Sequence, residues 1–80
     1  MSQITETQVR AALHEITRSD AVYSWDANFD FRRGAIDSLD HATLALLLEE
    51  RHGIRISDDE LAHLRTIGSF VKFAAEQRAA

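Results

Sequence analysis

The stretch Asp37-Ser38-Leu39-Asp40, near the middle of the chain, holds the hydroxyl with the most promising chemical setting. A long irregular segment ends there and an apolar helical segment begins, so Ser38 falls in the first turn of a helix. Such a turn carries backbone N–H groups without intrahelical partners and the positive end of the helix dipole. A phosphate esterified to Ser38 would be held favourably at that position. With Asp37 as N-cap, Ser38 becomes the first helical residue and its hydroxyl points outward, within reach of a modifying enzyme. The competing reading makes Ser38 itself the cap, with no further task. Position alone favours this second reading.

Other chemistry is poorly supplied. The chain has no cysteine, hence no disulfide framework, thiolate zinc site or thiol nucleophile. Its histidines, His14, His41, His52 and His63, form no His-x-x-x-His or His-Glu-x-x-His pair, so no metal site is expected. Glu49-Glu50 and Asp58-Asp59-Glu60 read as solvated faces or helix starts. Asp26-Ala27-Asn28-Phe29-Asp30 matches the opening of a calcium-binding EF-hand loop. Phe31, however, stands where that loop requires glycine, and Asp37 where it requires a bidentate Glu. A loop rich in Asx turns is the expectation instead. There is no glycine-rich phosphate loop, and a chain this small leaves little room for an enclosed active site. No catalytic residue is identified.

The elements that must position Ser38 follow from periodicity. Thr5-Glu6-Thr7-Gln8 reads as a capping box, and Val9, Ala12, Leu13 and Ile16 recur on one face of a first helix over about residues 6 to 18. His14 falls opposite that stripe and reads as a solvated histidine. Residues 19 to 37 form a long connection with scattered apolar residues and no clear period. A second helix runs from about Ser38 to His52 and stops at Gly53. On its wheel Leu44, Ala45, Leu48 and His52 share one side. Leu39, Ala42 and Leu46 take nearly the opposite side, with Thr43 and Glu50 beside them and Leu47 between. A surface helix needs only one apolar stripe. Either the second stripe is exposed as a partner site, or the helix is central and buried all round. Ile54-Arg55-Ile56 is a short extended segment. Ser57 and Glu60 make a capping box for a short third helix, and Thr66 caps a fourth whose inward face is Ile67, Phe70, Val71 and Ala74. Residues from Glu76 to Ala80 are expected to fray. The fold class is a small all-α four-helix bundle, with three main helices, one short helix and a long first loop.

Composition sets the outer bounds. The 80 residues suffice for one domain, taken as 1–80, and 45% of them are apolar, as in globular proteins. The formal net charge of −4 speaks against nucleic-acid binding, which needs a basic surface. The first residues lack the basic and apolar regions of a signal peptide, and the apolar run from Leu44 to Leu48 is too short to span a bilayer. No membrane association is expected. Absence of disulfides fits the cytoplasm.

From Phe29 to about Ala75 the chain resembles the acyl carrier protein family, the carriers of acyl, aminoacyl or peptidyl groups. The resemblance rests on Asp-Ser-Leu at residues 37–39 and the apolar helix ending in Leu48-Glu49-Glu50. Gly53-Ile54-Arg55-Ile56, Ser57-Asp58-Asp59-Glu60-Leu61 and Thr66-Ile67 then follow in order. It implies a four-helix bundle with no catalysis of its own. It also implies a covalent 4′-phosphopantetheine on Ser38, placed there from coenzyme A by a phosphopantetheinyl transferase and holding cargo as a thioester. The implied partner face comprises Asp37, Leu39, Asp40, Ala42, Leu46 and Ile56, with Thr43 beside it. Its implied partners are an acyl- or aminoacyl-loading ligase and a downstream transferase, served by a monomer.

Several residues depart from the common family pattern. Thr43 stands where fatty-acid carriers usually have an acid, and Arg32-Arg33 precede Gly34 where acids are common. His52 takes the place of a core aromatic, and Ser57 that of a frequent proline. Gly34-Ala35-Ile36-Asp37-Ser38 has one residue more than the common Leu-Gly-x-Asp-Ser form, as in discrete carriers such as the D-alanyl carrier protein. These departures favour a dedicated pathway with its own loading enzyme. The alternative is an unmodified helical interaction module that uses the second-helix face.

Overall fold

The computed structural model describes residues 4–34 and 36–79, with side chains as far as residue 77. The chain forms α1 (Glu6–Thr17), α2 (Ser38–His52), α3 (Asp58–Leu61) and α4 (Ile67–Ala79). Two 3₁₀ helices, Asp20–Ser24 and Phe31–Gly34, lie between α1 and α2. Among the described residues there is no strand, and the fold is the expected small all-α bundle. None of its helices is long and apolar enough to cross a membrane.

Side chains near the helix starts satisfy orphaned N–H groups. Thr5 and Gln8 exchange hydrogen bonds ahead of α1, as do Ser57 and Glu60 ahead of α3. At α4 the same exchange joins Thr66 Oγ1, which accepts from Ser69 N at 3.0 Å, and Ser69 Oγ, which accepts from Thr66 N at 3.1 Å. Arg18 is not the last residue of α1 but its C-cap, left-handed at φ 59°, with its N–H donating to His14 O. Gly53 ends α2 in the same conformation at φ 70°, which glycine adopts without the Cβ penalty.

The long connection is more ordered than its lack of period suggested. Asp26 Oδ1 accepts from Asn28 N and Asp30 Oδ1 from Arg32 N, both at 2.8 Å. The calcium-loop look-alike is therefore a pair of Asx turns. Val22 and Phe31 are buried and draw the connection across the bundle. Backbone bonds then fasten it to α4 and the turn before it: Gly68 N donates to Ala27 O and Phe31 N to Arg65 O, each at 2.8 Å. A Cβ on Gly68 would lie 3.2 Å from the Ala27 carbonyl oxygen, so this approach suits glycine. The 3₁₀ turns escaped the periodicity reading because four or five residues at three per turn show too few apolar repeats.

The core joins Val9 and Leu13 of α1, Leu44 and Leu48 of α2, and Ile67 and Phe70 of α4. Leu44 and Leu48 are fully buried, whereas Leu39 is 72% exposed and Leu46 54%. Helix α2 thus has one buried and one exposed apolar side, with Leu47 and His52 half-buried. Arg51 of α2 forms a two-pronged ion pair with Glu15 of α1; its second nitrogen lies 2.7 Å from Glu15 Oε1.

Two expectations need correction. His14 is half-buried: its Nε2 lies 3.0 Å from Asp20 Oδ1 and its ring stacks obliquely near Tyr23. The first 3₁₀ helix folds back over the end of α1 and brings both neighbours. The last helix also runs past Glu76, where fraying was expected, and continues to Ala79. There Gln77 clamps the extended segment, donating Nε2–H to Arg55 O at 2.7 Å and accepting from Arg55 N at 2.8 Å. The remaining residue of that expectation, Ala80, lies outside the described residues.

The two sides of α2 should answer differently to truncation. Leu44→Ala is expected to cost about 2–5 kcal/mol through lost burial and a residual cavity. Leu46→Ala should stay within about 0.5 kcal/mol. Urea denaturation of both variants measures the difference.

Acid sensitivity follows from Asp30. The Arg32 side chain, and secondarily the Arg32 backbone N–H, hold its carboxyl down to about 2 from an ordinary 3.8. A carboxyl so depressed stabilises the fold above its unfolded value, and that contribution is lost as pH falls through about 2. Glu15, lowered by Arg51, and Glu60, lowered by Ser57, act in the same direction. Melting temperature should fall between pH 4 and 2. Asp30→Asn, which keeps the Asx acceptor, should show a smaller fall over the same range.

Candidate functional site

Asp37 settles the geometry of the site. Its backbone is extended, its Oδ1 accepts from Asp40 N at 2.8 Å, and its carbonyl accepts from His41 N at 2.9 Å. Asp37 is therefore the cap and Ser38 the first residue of α2. Ser38 is exposed, and among the described residues its hydroxyl has no hydrogen-bond partner. The reading in which Ser38 served as cap does not hold, because the carboxylate one residue earlier takes that task.

Beside Ser38 opens a groove of about 260 Å³, walled by Phe31, Ile36 and Ala62 and bordered by Arg32, His41 and Arg65. His41 Nε2 donates to Leu64 O at 2.6 Å and presents its ring edge to Phe31 and Phe70, each 6.1 Å away. It ties the first turn of α2 to the turn before α4. In the sequence His41 stood out only as a possible metal ligand. The usable signal was its i+3 spacing from Ser38, which puts both on one side of the helix. Arg32 is engaged in two contacts to Asp30, at 3.2 and 2.9 Å.

The other expected residues fall into two groups. Leu39, Ala42 and Leu46 lie exposed along the outward side of α2, with Asp40 and Thr43 half-buried among them. The Thr43 hydroxyl is turned onto its own helix, donating to Leu39 O at 2.9 Å. Ile56 is not part of that stripe. It lies past the end of α2, packs against the core, and donates its N–H to Glu49 Oε2 at 2.8 Å. The Gly34-to-Asp37 spacing includes Ala35, outside the described residues. Among the described residues no three His, Asp or Glu side chains converge as a metal site.

Comparison with known proteins bears on this geometry. Residues 7–74 match the family model described as "Phosphopantetheine attachment site". The chain is 34% identical to an acyl carrier protein of Caulobacter vibrioides over 79 residues, covering 99% of this chain and all of that protein. It is 32% identical to one from Phenylobacterium zucineum over 77 residues, 96% of each chain. With one from an Arthrobacter species it shares 41% identity over 44 residues, 55% of this chain and 54% of the relative. No solved structure matches the chain.

The residues present fit the prosthetic group that these carriers bear. The first turn of α2 is an exposed helix start, favourable to a phosphate, and the adjoining groove combines apolar walls with two arginines at its border. A chain whose folded elements, Asp37-capped helix start and full-length similarity agree in this way belongs to the acyl carrier protein family, whose members are non-catalytic carriers with covalently attached 4′-phosphopantetheine.

Proposed function

We propose that Ser38 is the attachment point of 4′-phosphopantetheine and that residues 1–80 act as one monomeric carrier domain of the cytoplasm. The observation that carries this reading is the division of labour at the start of α2. Asp37 caps the helix, so Ser38 keeps an exposed hydroxyl with no structural task. When bound, the group supplies the thiol that this cysteine-free chain lacks, on which cargo is held as a thioester. The chain itself orients and presents. Tethering raises the effective concentration of cargo at each partner.

Leu39, Ala42 and Leu46 form the centre of the proposed partner face, with Asp37, Asp40 and Thr43 around them and Ile56 at its margin. The exposure of Leu39 and Leu46 supports this assignment. Arg32-Arg33 and Thr43 make the surroundings less acidic than is usual for fatty-acid carriers. We read this as service to a dedicated pathway, with an acyl- or aminoacyl-loading ligase and a downstream transferase as partners. An aminoacyl cargo is the finer reading.

Incubation with coenzyme A, magnesium and a promiscuous phosphopantetheinyl transferase should add one phosphopantetheine by intact mass, and Ser38→Ala should add none. An adduct on the alanine variant would move the site elsewhere. No adduct with several transferases would leave an unmodified interaction module. Leu46→Glu should impair loading or onward transfer while its melting curve stays close to that of the parent. A large loss of stability, on the several-kcal/mol scale of a buried polar group, would show the face to be core.

A further inference from the structure

We propose that Arg65 is the phosphate-holding residue of this carrier: its guanidinium pairs with the phosphodiester that would join the prosthetic group to the Ser38 oxygen. The inference rests on Ser38 as attachment point and concerns a residue outside the partner face.

Two arginines border the groove beside Ser38, and they are not equivalent. Arg32 is committed to Asp30, which it meets through both Nε and a terminal nitrogen. Arg65 has no carboxylate within ion-pair distance among the described residues. Its side chain is exposed, but its base is fixed. The Arg65 carbonyl accepts from Phe31 N at 2.8 Å, and the preceding carbonyl, of Leu64, accepts from His41 Nε2 at 2.6 Å. One bond comes from the connection and the other from α2, so the Arg65 backbone is tied to two elements that frame the groove.

Charge gives this cation a task. Asp37 lines the same groove, and its carboxylate repels any phosphate on the next residue. The Arg65 cation, bordering that groove, would offset the repulsion. Its planar fork suits two phosphate oxygens, which a lysine ammonium engages only as a point charge. The apolar walls, Phe31 and Ile36, exclude part of the water that would otherwise screen the pair.

The test uses ¹⁵N-labelled protein before and after modification, with intact mass confirming the adduct, in the parent, Arg65→Gln and Arg65→Lys. Circular dichroism checks that the variants fold. On modification the Arg65 Nε–Hε resonance of the parent should shift. The ³¹P resonance should differ between parent and Arg65→Gln, with Arg65→Lys between them. Both effects should collapse near 1 M salt, where the screening length is about 3 Å. Identical ³¹P resonances in modified parent and Arg65→Gln would overturn the assignment while the carrier reading stands. Failure of the parent to take the group at Ser38 would overturn both. An Arg65 resonance unmoved by modification, shifting only when an acidic partner protein is added, would make Arg65 a docking residue and also overturn the assignment.

Discussion

The packing of Phe31 is the constraint on which the site depends. Its ring is buried and lies 6.0 Å from Phe70, 6.1 Å from His41 and 6.3 Å from Trp25. Its N–H donates to Arg65 O. One residue therefore joins the connection, the first turn of α2 and the start of α4. Ile36, buried just before Asp37, is the second anchor of this segment, and without Phe31 the groove beside Ser38 would lose one of its walls. Burial of one aromatic ring in a small domain is a large share of the available stability, since about 0.05–0.15 kcal/mol per residue is typical.

The start of α2 shows how local hydrogen bonding sets aside a hydroxyl. Serine and aspartate are both good caps, and they stand side by side at positions 37 and 38. The extended backbone of Asp37 and its bond to Asp40 N put the cap on the carboxylate. The serine that follows is helical, exposed and chemically idle as far as the fold is concerned.

Much of this arrangement was legible in the sequence wherever one local rule dominates. The Thr5–Gln8 and Ser57–Glu60 boxes, the stop at Gly53 and the two-sided wheel of α2 each follow from spacing within a few residues. What escaped depends on contacts distant in the chain. His41 acquires its role from Leu64 O, 23 residues away. Gln77 is tied to Arg55, 22 residues away, a contact that the pattern of the tail itself does not announce. His14 looked solvated because the wheel of α1 contains nothing of the 3₁₀ helix that covers it. Ile56 was mapped to the partner face by resemblance alone, and its partial burial against the core is set by packing that no linear pattern encodes.

The division of α2 into a buried and an exposed side also bears on how such a chain can change over generations. Substitutions at Leu44 or Leu48 are constrained by the core, since both are fully buried. Leu39 and Leu46 meet almost none of that constraint. Variation can therefore accumulate on the outward side of the same helix without disturbing the fold that positions Ser38. One helix thus answers to two nearly independent constraints, the core on its inner side and the proposed partners on its outer side.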